Sequence, residues 1–420
     1  MNVRPTEPAE QAGPQLTLLT ADRVIVGRDS RVIANGAVLV SGASIAWVGE
    51  RNRAPHMGAG TTEIPLPGCT LMPGLVEGHA HLCLDGGTDP FGTLASSSPG
   101  VRDEVVRRAA ERMIRAGITS VRDLGCPAGA DTVLREAVLA GRFDGPALYS
   151  SGVPLTSVGG HCSVMGGAIA GVEDVADLVA ANHSGGATWT KVMATGGFLT
   201  SPVSSPYLPQ LPADILRAAV AASRRLGMRV AAHAHGRAGI EAAFAVGVDS
   251  IEHCTWMTEG GFDVDEALVA KLARHGVAVG ATVNSKACAA TGRLPWHERR
   301  RQLRLMRAAG VRLIVSTDCG ISGTPHDDLP ASLVCYLDAG FTTLQILEAA
   351  TAGNADALGI GADAGRLAPG LRADVLAVRG NPLEDLDRLR GTMLVMGGGR
   401  LIPSPTEHLS APPGGVFECQ

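Results

Sequence analysis

Apolar and polar residues alternate in short runs at both ends of this chain. The start of the chain, residues 16–69, contains LTLLTADRVIVG and AVLVSG, and residues 362–403 contain GRLAPGLRADVLAVRGNP and GTMLVMGGGRLI. Such runs of β-branched and aliphatic residues, separated by Gly, Asp and Asn, predict short strands joined by tight turns. We therefore predict that residues 16–69 and 362–403 pair into one small composite β-sandwich domain.

Between these ends, residues 70–361 alternate short apolar runs with segments of helical period. The apolar runs end near residues 81, 125, 152, 197, 236, 254, 283 and 320. Strands that alternate with helices indicate parallel βαβ units. Eight such units over one continuous stretch predict a closed (β/α)8 TIM barrel, so the expected fold class is α/β with the β-sandwich attached.

The composition of the chain indicates the compartment in which the protein is expected. The first residues have no apolar signal core, and no uncharged apolar stretch of about 18 residues occurs, so we expect neither a secretory signal nor a membrane span. The terminal segments 1–15 and 404–420 are polar and Pro-containing and are predicted to be mobile tails. The nine cysteines include no CxxC pair. They predict free thiols in a reducing cytoplasm, so we expect a cytoplasmic protein.

Charge argues against a nucleic-acid partner. The formal net charge is −5, and no basic run occurs in the sequence. A nucleic-acid-binding surface requires a basic patch or stripe, which this composition does not supply. We expect a small-molecule substrate, no nucleic-acid or membrane partner, and assembly into a homo-oligomer.

Histidines and one aspartate mark the carboxyl ends of several predicted strands. His79 and His81 end the first strand, His233 the fifth, His253 the sixth, and Asp318 follows the eighth. In a TIM barrel this end of the strands holds the catalytic groups. His79 and His81 are two residues apart on a strand and therefore point to the same side. Together these groups predict a site at the mouth of the barrel.

Lys191 lies inside the apolar strand TWTKVMATGG. A buried ammonium group is costly unless it is paired or neutralised, and burial lowers the pKa of its amine. A neutral amine can take up CO2 to form a carbamate, which would offer two oxygen ligands to a pair of metal ions. Alternatives exist for single residues: Lys191 could reach solvent at a sheet edge, and Asp318 could cap a helix.

These residues resemble the binuclear-metal branch of the amidohydrolase superfamily. PGLVEGHAHL resembles the HxH motif of strand 1, and KVMATGG, VAAHAHG, SIEHC and STDCG resemble the segments around the remaining ligands. GGHCSVMGG is similar to the group of imidazolonepropionase-like proteins, Xaa-Pro and Xaa-Arg dipeptidases, ochratoxinase and phenylurea hydrolases. The resemblance covers nearly the whole chain, including the β-rich segments at both ends.

The resemblance implies two divalent cations, with Zn²⁺ as the expected metal because imidazole suits zinc. One ion would be held by His79, His81 and Asp318 and the other by His233 and His253, with a carbamate on Lys191 bridging them. His235 is the alternative to His233 as the ligand of strand 5. A hydroxide shared by the two ions would attack the amide carbonyl, and Asp318 would act as the general base and then protonate the leaving amine.

The expected reaction is hydrolysis of an amide C–N bond in a dipeptide, an N-acyl amino acid or an ochratoxin-like aryl amide. Candidate substrate contacts lie in loops that follow the strands. These are His161, which we also consider as a catalytic donor to the substrate, and His235, Tyr207 and His326.

Two other functions are compatible with the sequence. A mononuclear deaminase or a cyclic-amide hydrolase of the same superfamily would need no bridging lysine. A non-catalytic relative that kept the fold for assembly would tend to lose ligands, whereas this chain retains all six candidates. Metal content separates the first alternative from the binuclear hydrolase.

Overall fold

The computed structural model describes residues 15–29, 31–58, 60–198 and 204–403. The predicted tails, residues 1–15 and 404–420, lie outside these ranges apart from Gln15. Among the helices of the described part of the chain, none combines the length and the apolar character needed to span a bilayer.

The amino-terminal part of the described chain forms extended strands. They are β1 (Leu16–Ile25), β2 (Val32–Ser41), β3 (Ser44–Glu50) and β4 (Thr62–Pro73), with a short 3₁₀ turn at Arg51–Arg53 after β3. β2 pairs antiparallel with β1 and β3, and β4 pairs parallel with β1. β4 continues to Pro73, so the domain boundary predicted at residue 70 falls inside this strand.

Short parallel strands follow, each near a predicted position. They are β5 (Leu75–Ala80), β6 (Ile118–Asp123), β7 (Ala147–Ser150), β8 (Trp189–Met193), β9 (Arg229–Ala234), β10 (Ser250–His253), β11 (Ala278–Gly280) and β12 (Leu313–Ile314). β5 to β7 form one sheet and β8 to β12 a second. Two-residue pairings, Thr156–Ser157 with Ala168–Ile169 and Met257–Thr258 with Gly261–Phe262, lie in loops.

The two parallel sheets are joined by isolated backbone bridges at both of their junctions. Leu155, just beyond β7, pairs with Val192 of β8, and Cys319, beyond β12, pairs with Ala80 of β5. At the second junction the amide of His81 donates to the carbonyl of Cys319 at 2.8 Å. The arrangement is therefore TIM-barrel-like, with the carboxyl ends of neighbouring strands on one face.

Helices lie between these strands and after the last of them. They are α1 (Pro90–Ser96), α2 (Pro99–Arg115), α3 (Ala130–Leu139), α4 (Glu173–Ser184), α5 (Ala213–Arg225), α6 (Arg237–Val246), α7 (Glu266–His275), α8 (Trp296–Ala308), α9 (Leu329–Ser332), α10 (Cys335–Asp338), α11 (Thr343–Glu348) and α12 (Asn354–Leu358). A π-helical turn, Ala349–Gly353, joins α11 to α12, and 3₁₀ turns occupy Ser163–Met165 and Ala287–Ala289.

Helix α7 illustrates why these segments are helical. Asp265 caps its first turn by accepting a hydrogen bond from the amide of Leu268, and Gly276 ends it with a φ of 70°. Glycine adopts this left-handed conformation without the steric cost of a Cβ atom. Leu268, Val269 and Leu272 form the buried stripe that packs α7 on the core.

The carboxyl-terminal strands complete the sheet that begins with β1. They are β13 (Val375–Arg379), β14 (Thr392–Gly397) and β15 (Arg400–Ile402), with a 3₁₀ turn at Leu386–Arg390. β13 pairs antiparallel with β4, which gives the order β15-β14-β13-β4-β1-β2-β3. Strands from the two ends of the described chain thus form one β-rich domain and are hydrogen-bonded into a single sheet.

The prediction that all the cysteines are free thiols is wrong for one pair. Cys288 and Cys335 form a disulfide, with their Cα atoms 5.7 Å apart. They are separated by 47 residues in the sequence. Pairing over that distance leaves no local spacing signal, so sequence inspection could not find it. Six other cysteines of the described chain are buried and free.

Arg372 connects the β-rich domain to the barrel-like part. Its guanidinium donates to Asp374 through Nε at 2.9 Å, to Ser120 Oγ on β6 at 2.6 Å and to the Tyr149 hydroxyl on β7 at 3.2 Å. The Asp374 side chain is only 4% exposed. A buried carboxylate that loses its cationic partner destabilises a fold more than the pair itself stabilises it.

We predict that Arg372→Met lowers the free energy of unfolding by about 2 kcal/mol, because it leaves the Asp374 carboxylate without its cation. Denaturant titration followed by circular dichroism measures this change. The matched control is Arg379→Met, because Arg379 is exposed and its guanidinium donates to the thioether sulfur of Met393 and forms no ion pair within the described residues. Equal stability of the two variants would contradict the proposed role of Arg372.

Candidate metal centre

The carboxyl ends of the barrel-like strands surround a cavity of about 320 Å³. Every residue predicted as a metal ligand from the sequence lines this cavity, together with His161 and His235. The predicted residues in its wall are His79, His81, His161, Lys191, His233, His235, His253 and Asp318. The structure therefore brings together residues that are spread over most of the barrel-like part of the sequence.

One group of candidate ligands consists of His79, His81 and Asp318. Asp318 Oδ1 lies 3.3 Å from His79 Nε2 and 3.4 Å from His81 Nε2. The two imidazole rings are 5.3 Å apart between centroids, as expected for alternate residues of one strand that face the same side. Asp318 has a φ of 60°, a left-handed conformation that side chains rarely adopt. Such a conformation is typical of positions held by functional constraints.

A second group of candidate ligands consists of His233, His235 and His253. The ring of His253 lies 4.6 Å from the rings of both His233 and His235. His253 also has a left-handed backbone, with a φ of 68°. Its ring is 5.3 Å from that of His79, so the two groups are neighbours. His233 of β9 and His235, which follows this strand, both belong to this group, so the choice between them as the metal ligand stays open.

Each of the five histidines in these two groups uses one ring nitrogen in a hydrogen bond to the protein. The pairs are His79 Nδ1 with Glu252, His81 Nδ1 with the Gly125 carbonyl, His233 Nε2 with the Gly196 carbonyl, His235 Nδ1 with Thr255 Oγ1, and His253 Nδ1 with Thr282 Oγ1. Contacts of this kind fix the ring orientation and leave the other nitrogen for a metal. Each of the five rings could therefore offer its other nitrogen to a metal ion.

Burial keeps these imidazoles neutral. It lowers the pKa of His81 and His235 to about 3, and it lowers the pKa of His79, His233 and His253 well below the usual value. The positive charge of Lys191 lowers each of these pKa values further. A neutral imidazole is the form that binds a metal, so the histidines are competent ligands at neutral pH.

Lys191 is 1% exposed in the middle of β8 and lines the cavity. Burial lowers the pKa of its amine to about 8, although the carboxylates of Glu252 and Asp318 act in the opposite direction. At pH 7 roughly a tenth of such amines would be neutral, far more than for an exposed lysine. The amine is therefore chemically able to take up CO2.

Asp318 is the acidic member of the cavity wall. Burial raises the pKa of its carboxyl group to about 7, while the nearby Lys191 lowers it. A carboxyl group with a pKa near the working pH can both accept and release a proton. The position and the pKa of Asp318 thus suit a general base.

An ion pair that sequence inspection missed lies behind His79. Arg122 donates to Glu252 at 2.9 Å, and both side chains are fully buried. Glu252 in turn accepts from His79 Nδ1 at 3.0 Å. Arg122 also donates to the Gly78 carbonyl and its guanidinium lies 4.6 Å from the centre of the Trp189 ring. This network orients His79 and neutralises the buried Glu252 carboxylate.

A sequence signal for this network did exist. Arg122 lies in the apolar strand SVRDLG, and Glu252 immediately precedes His253 in SIEHC. The reasoning that singled out Lys191, a charge inside an apolar strand, applies equally to both residues. What the sequence could not give is the pairing, because 130 residues separate the two partners.

Two buried atoms of the first ligand group indicate that these residues fit a cation. His79 Nε2 and Asp318 Oδ1 have no hydrogen-bond partner among the described residues. Buried polar atoms almost always have a hydrogen-bond partner. This imidazole nitrogen and this carboxylate oxygen lie 3.3 Å apart, so one atom bound to both would satisfy them together. A divalent cation accepts nitrogen and oxygen ligands of this kind. The donor set therefore fits a metal ion.

The predicted substrate contacts divide into two pairs. His161 lies in the cavity wall with its ring 4.4 Å from that of His233, and His235 belongs to the second ligand group. The structure does not bring Tyr207 or His326 to the wall of this cavity. Tyr207 packs against Phe198, and His326 lies behind His81, where its Nε2 donates to the His81 carbonyl at 3.2 Å.

The remaining wall of the cavity is largely apolar. Apolar side chains surround the space in front of the histidines: Phe91, Met193, Phe198, Met257, Leu294 and Ile321. Polar residues that the sequence did not single out are Thr255, Thr282, Asn284, Arg293 and Thr317. A cavity with convergent polar groups and an apolar wall is typical of a small-molecule site.

Comparison with known proteins shows the family to which this chain belongs. Residues 70–401 match the model of the Amidohydrolase family. The chain is 28% identical to the ochratoxinase of Aspergillus niger, over 96% of this chain and 90% of that protein. It is 26% identical to the imidazolonepropionase of Rhodococcus jostii strain RHA1, over 86% of each chain.

A solved structure shows the same similarity in three dimensions. The crystal structure of a prolidase complexed with N-methylphosphonate-L-proline superimposes with a TM-score of 0.81 and 27% sequence identity. The match covers 93% of this chain and all of the prolidase chain. This protein therefore belongs to the amidohydrolase family and is a hydrolase that acts on carbon–nitrogen bonds.

Proposed function

We propose that this protein is a binuclear metal-dependent hydrolase that cleaves the amide bond of a dipeptide, an N-acyl amino acid or an ochratoxin-like aryl amide. The observation that carries the proposal is the pair of adjacent ligand groups that share one cavity with the buried Lys191. The similarity to an ochratoxinase and a prolidase supports this substrate range. We also infer that β5 to β12 close into a complete barrel around the site.

The residues divide into ligands and a bridge. His79, His81 and Asp318 would hold one divalent cation, and His233 and His253 would hold the other, with His235 as the alternative to His233. Lys191, carboxylated by CO2, would contribute oxygen atoms to both sites. Two zinc ions bound in this way would polarise the substrate carbonyl and lower the pKa of a water molecule.

Asp318 would carry the proton through the reaction. Its carboxylate accepts a proton from the attacking water and then delivers that proton to the amide nitrogen as the C–N bond breaks. The reaction consumes one water molecule: its hydroxide joins the acyl carbon to give the carboxylate product, and its proton joins the nitrogen to give the amine. His161, next to His233 in the cavity wall, would donate a hydrogen bond to the substrate. The Glu252–Arg122 pair would hold the His79 ring in position.

A second candidate function is hydrolysis of a cyclic amide at a single metal. The similarity to an imidazolonepropionase favours it. Metal analysis and a substrate screen separate the two functions. We expect close to two zinc ions per chain and hydrolysis of open-chain amides in a library of dipeptides, N-acyl amino acids and aryl amides. One ion per chain with cleavage of cyclic amides alone would overturn the first proposal.

We predict that Lys191→Ala reduces the bound metal to at most one ion per chain and lowers kcat/KM at least a hundredfold, on the order of the losses seen when metal environments are disturbed. Inductively coupled plasma mass spectrometry and steady-state kinetics measure the two effects. Short carboxylic acids such as acetate should restore part of the activity, because they can replace the carbamate oxygens. The control is the exposed Lys271→Ala. Wild-type turnover in unsupplemented Lys191→Ala protein would refute the bridging role.

We predict that Asp318→Asn keeps bound metal but lowers kcat by about 100- to 10,000-fold, because the amide cannot accept and return the proton. Metal analysis and kcat measured on the same preparation test this. Asp327→Asn is the matched control, since Asp327 is an exposed carboxylate in the following loop that pairs with Arg112. If Asp318→Asn retained the wild-type kcat, another group would have to be the base.

A further inference from the structure

Arg293 lies in the cavity wall without an acidic partner. It is exposed, and its guanidinium lies 4.6 Å from the centre of the Phe198 ring, a cation–π contact. Within the described residues no carboxylate forms an ion pair with it. Other arginines that are partly exposed, such as Arg237 and Arg301, pair with neighbouring acids. The guanidinium of Arg293 is therefore held by an aromatic ring and keeps its donors for another group.

A series of aromatic rings connects Arg293 to the candidate metal ligands. The Phe198 ring lies 5.0 Å from that of His235, edge to face, and His235 stacks on His253 at 4.6 Å. A small molecule with its scissile bond near His253 would therefore extend along Phe198 toward the Arg293 guanidinium. Arg293 thus lies at one end of this series of rings, and the candidate metal ligands lie at the other end.

The charges of the cavity wall favour an anionic ligand at Arg293. Asp318 is the one carboxylate among the lining residues of the described chain, and it belongs to the first ligand group. Phe198 lies between Arg293 and the ligands, and other apolar side chains of the cavity wall include Leu294 and Met257. A molecule with an apolar body and one negative end matches this distribution.

We propose that Arg293 determines specificity by binding a free carboxylate of the substrate. The planar guanidinium matches a carboxylate with two parallel N–H···O bonds. The substrates would then be amides of amino acids with a free carboxylate, either dipeptides or N-acyl amino acids, in preference to neutral amides. This inference rests on the proposed function, since it assigns a second contact to the same amide substrate.

The test compares two ligands that differ only in charge, N-benzoyl-L-phenylalanine and its carboxamide. Isothermal titration calorimetry with zinc-loaded Asp318→Asn protein measures their Kd values without hydrolysis. With Arg293 present, the acid is expected to bind about tenfold more tightly than the carboxamide, a modest factor because the arginine is solvent-exposed. With Arg293→Met in addition, the ratio should fall to about one, and Arg293→Lys should restore part of it.

Lys286→Met provides the matched control. Lys286 is an exposed cation of the same loop that is not part of the cavity wall, and its removal should leave the ratio unchanged. An acid-to-carboxamide ratio that stays the same when Arg293→Met is introduced would overturn the proposal. Failure of both ligands to bind would overturn it as well.

Kinetics of the otherwise unaltered zinc-loaded enzyme separate this inference from the proposed function. Arg293→Met should raise KM for the acid about tenfold and change kcat less than twofold, because the contact is remote from the reacting bond. If the enzyme cleaves both ligands with equal kcat/KM, the role of Arg293 is wrong and the amide hydrolase stands. If it cleaves no amide but shows the Arg293-dependent preference in binding, the carboxylate site stands and the proposed function is wrong.

Discussion

Burial of several ionisable groups around one cavity governs how the rest of the site is built. The five imidazoles of the two ligand groups, a carboxyl group and an amine converge there, and burial shifts their pKa values toward the uncharged forms. Such a cluster is costly in an apolar interior unless each group has a partner. Hydrogen bonds satisfy one nitrogen of each histidine. Within each ligand group, one candidate ligand atom from each residue lies within 4.8 Å of the others, and a divalent cation would satisfy them.

The fold supplies this convergence through its strand ends. His79 lies at the end of β5 and His81 directly follows that strand. His233 is the last residue of β9 that pairs with β8, and His253 ends β10. Left-handed backbone at His253, Thr282 and Asp318 turns the chain just where these side chains enter the cavity. Behind them, the Arg122–Glu252 pair ties β6 to β10 and holds His79. The ligand geometry is therefore a property of several strands and not of any single motif.

Much of this arrangement could be predicted from the sequence because it follows local rules. The alternation of apolar runs with helical periods predicted the parallel strands, and the two-residue spacing of His79 and His81 predicted that they face one way. The lone charge in TWTKVMATGG identified Lys191. Features that depend on pairing across the chain were not predictable in this way. The Cys288–Cys335 disulfide, the Arg122–Glu252 ion pair and the arrival of both His233 and His235 at the second group all depend on the tertiary fold.

Anomalous X-ray diffraction from crystals of the zinc-loaded protein would locate the metal ions themselves. We expect two zinc peaks in the cavity, one ligated by His79, His81 and Asp318 and the other by His253 with His233 or His235. Density for a carboxylated Lys191 is expected between them. A single peak beside an unmodified Lys191, or an absence of bound zinc at these residues, would contradict the binuclear centre.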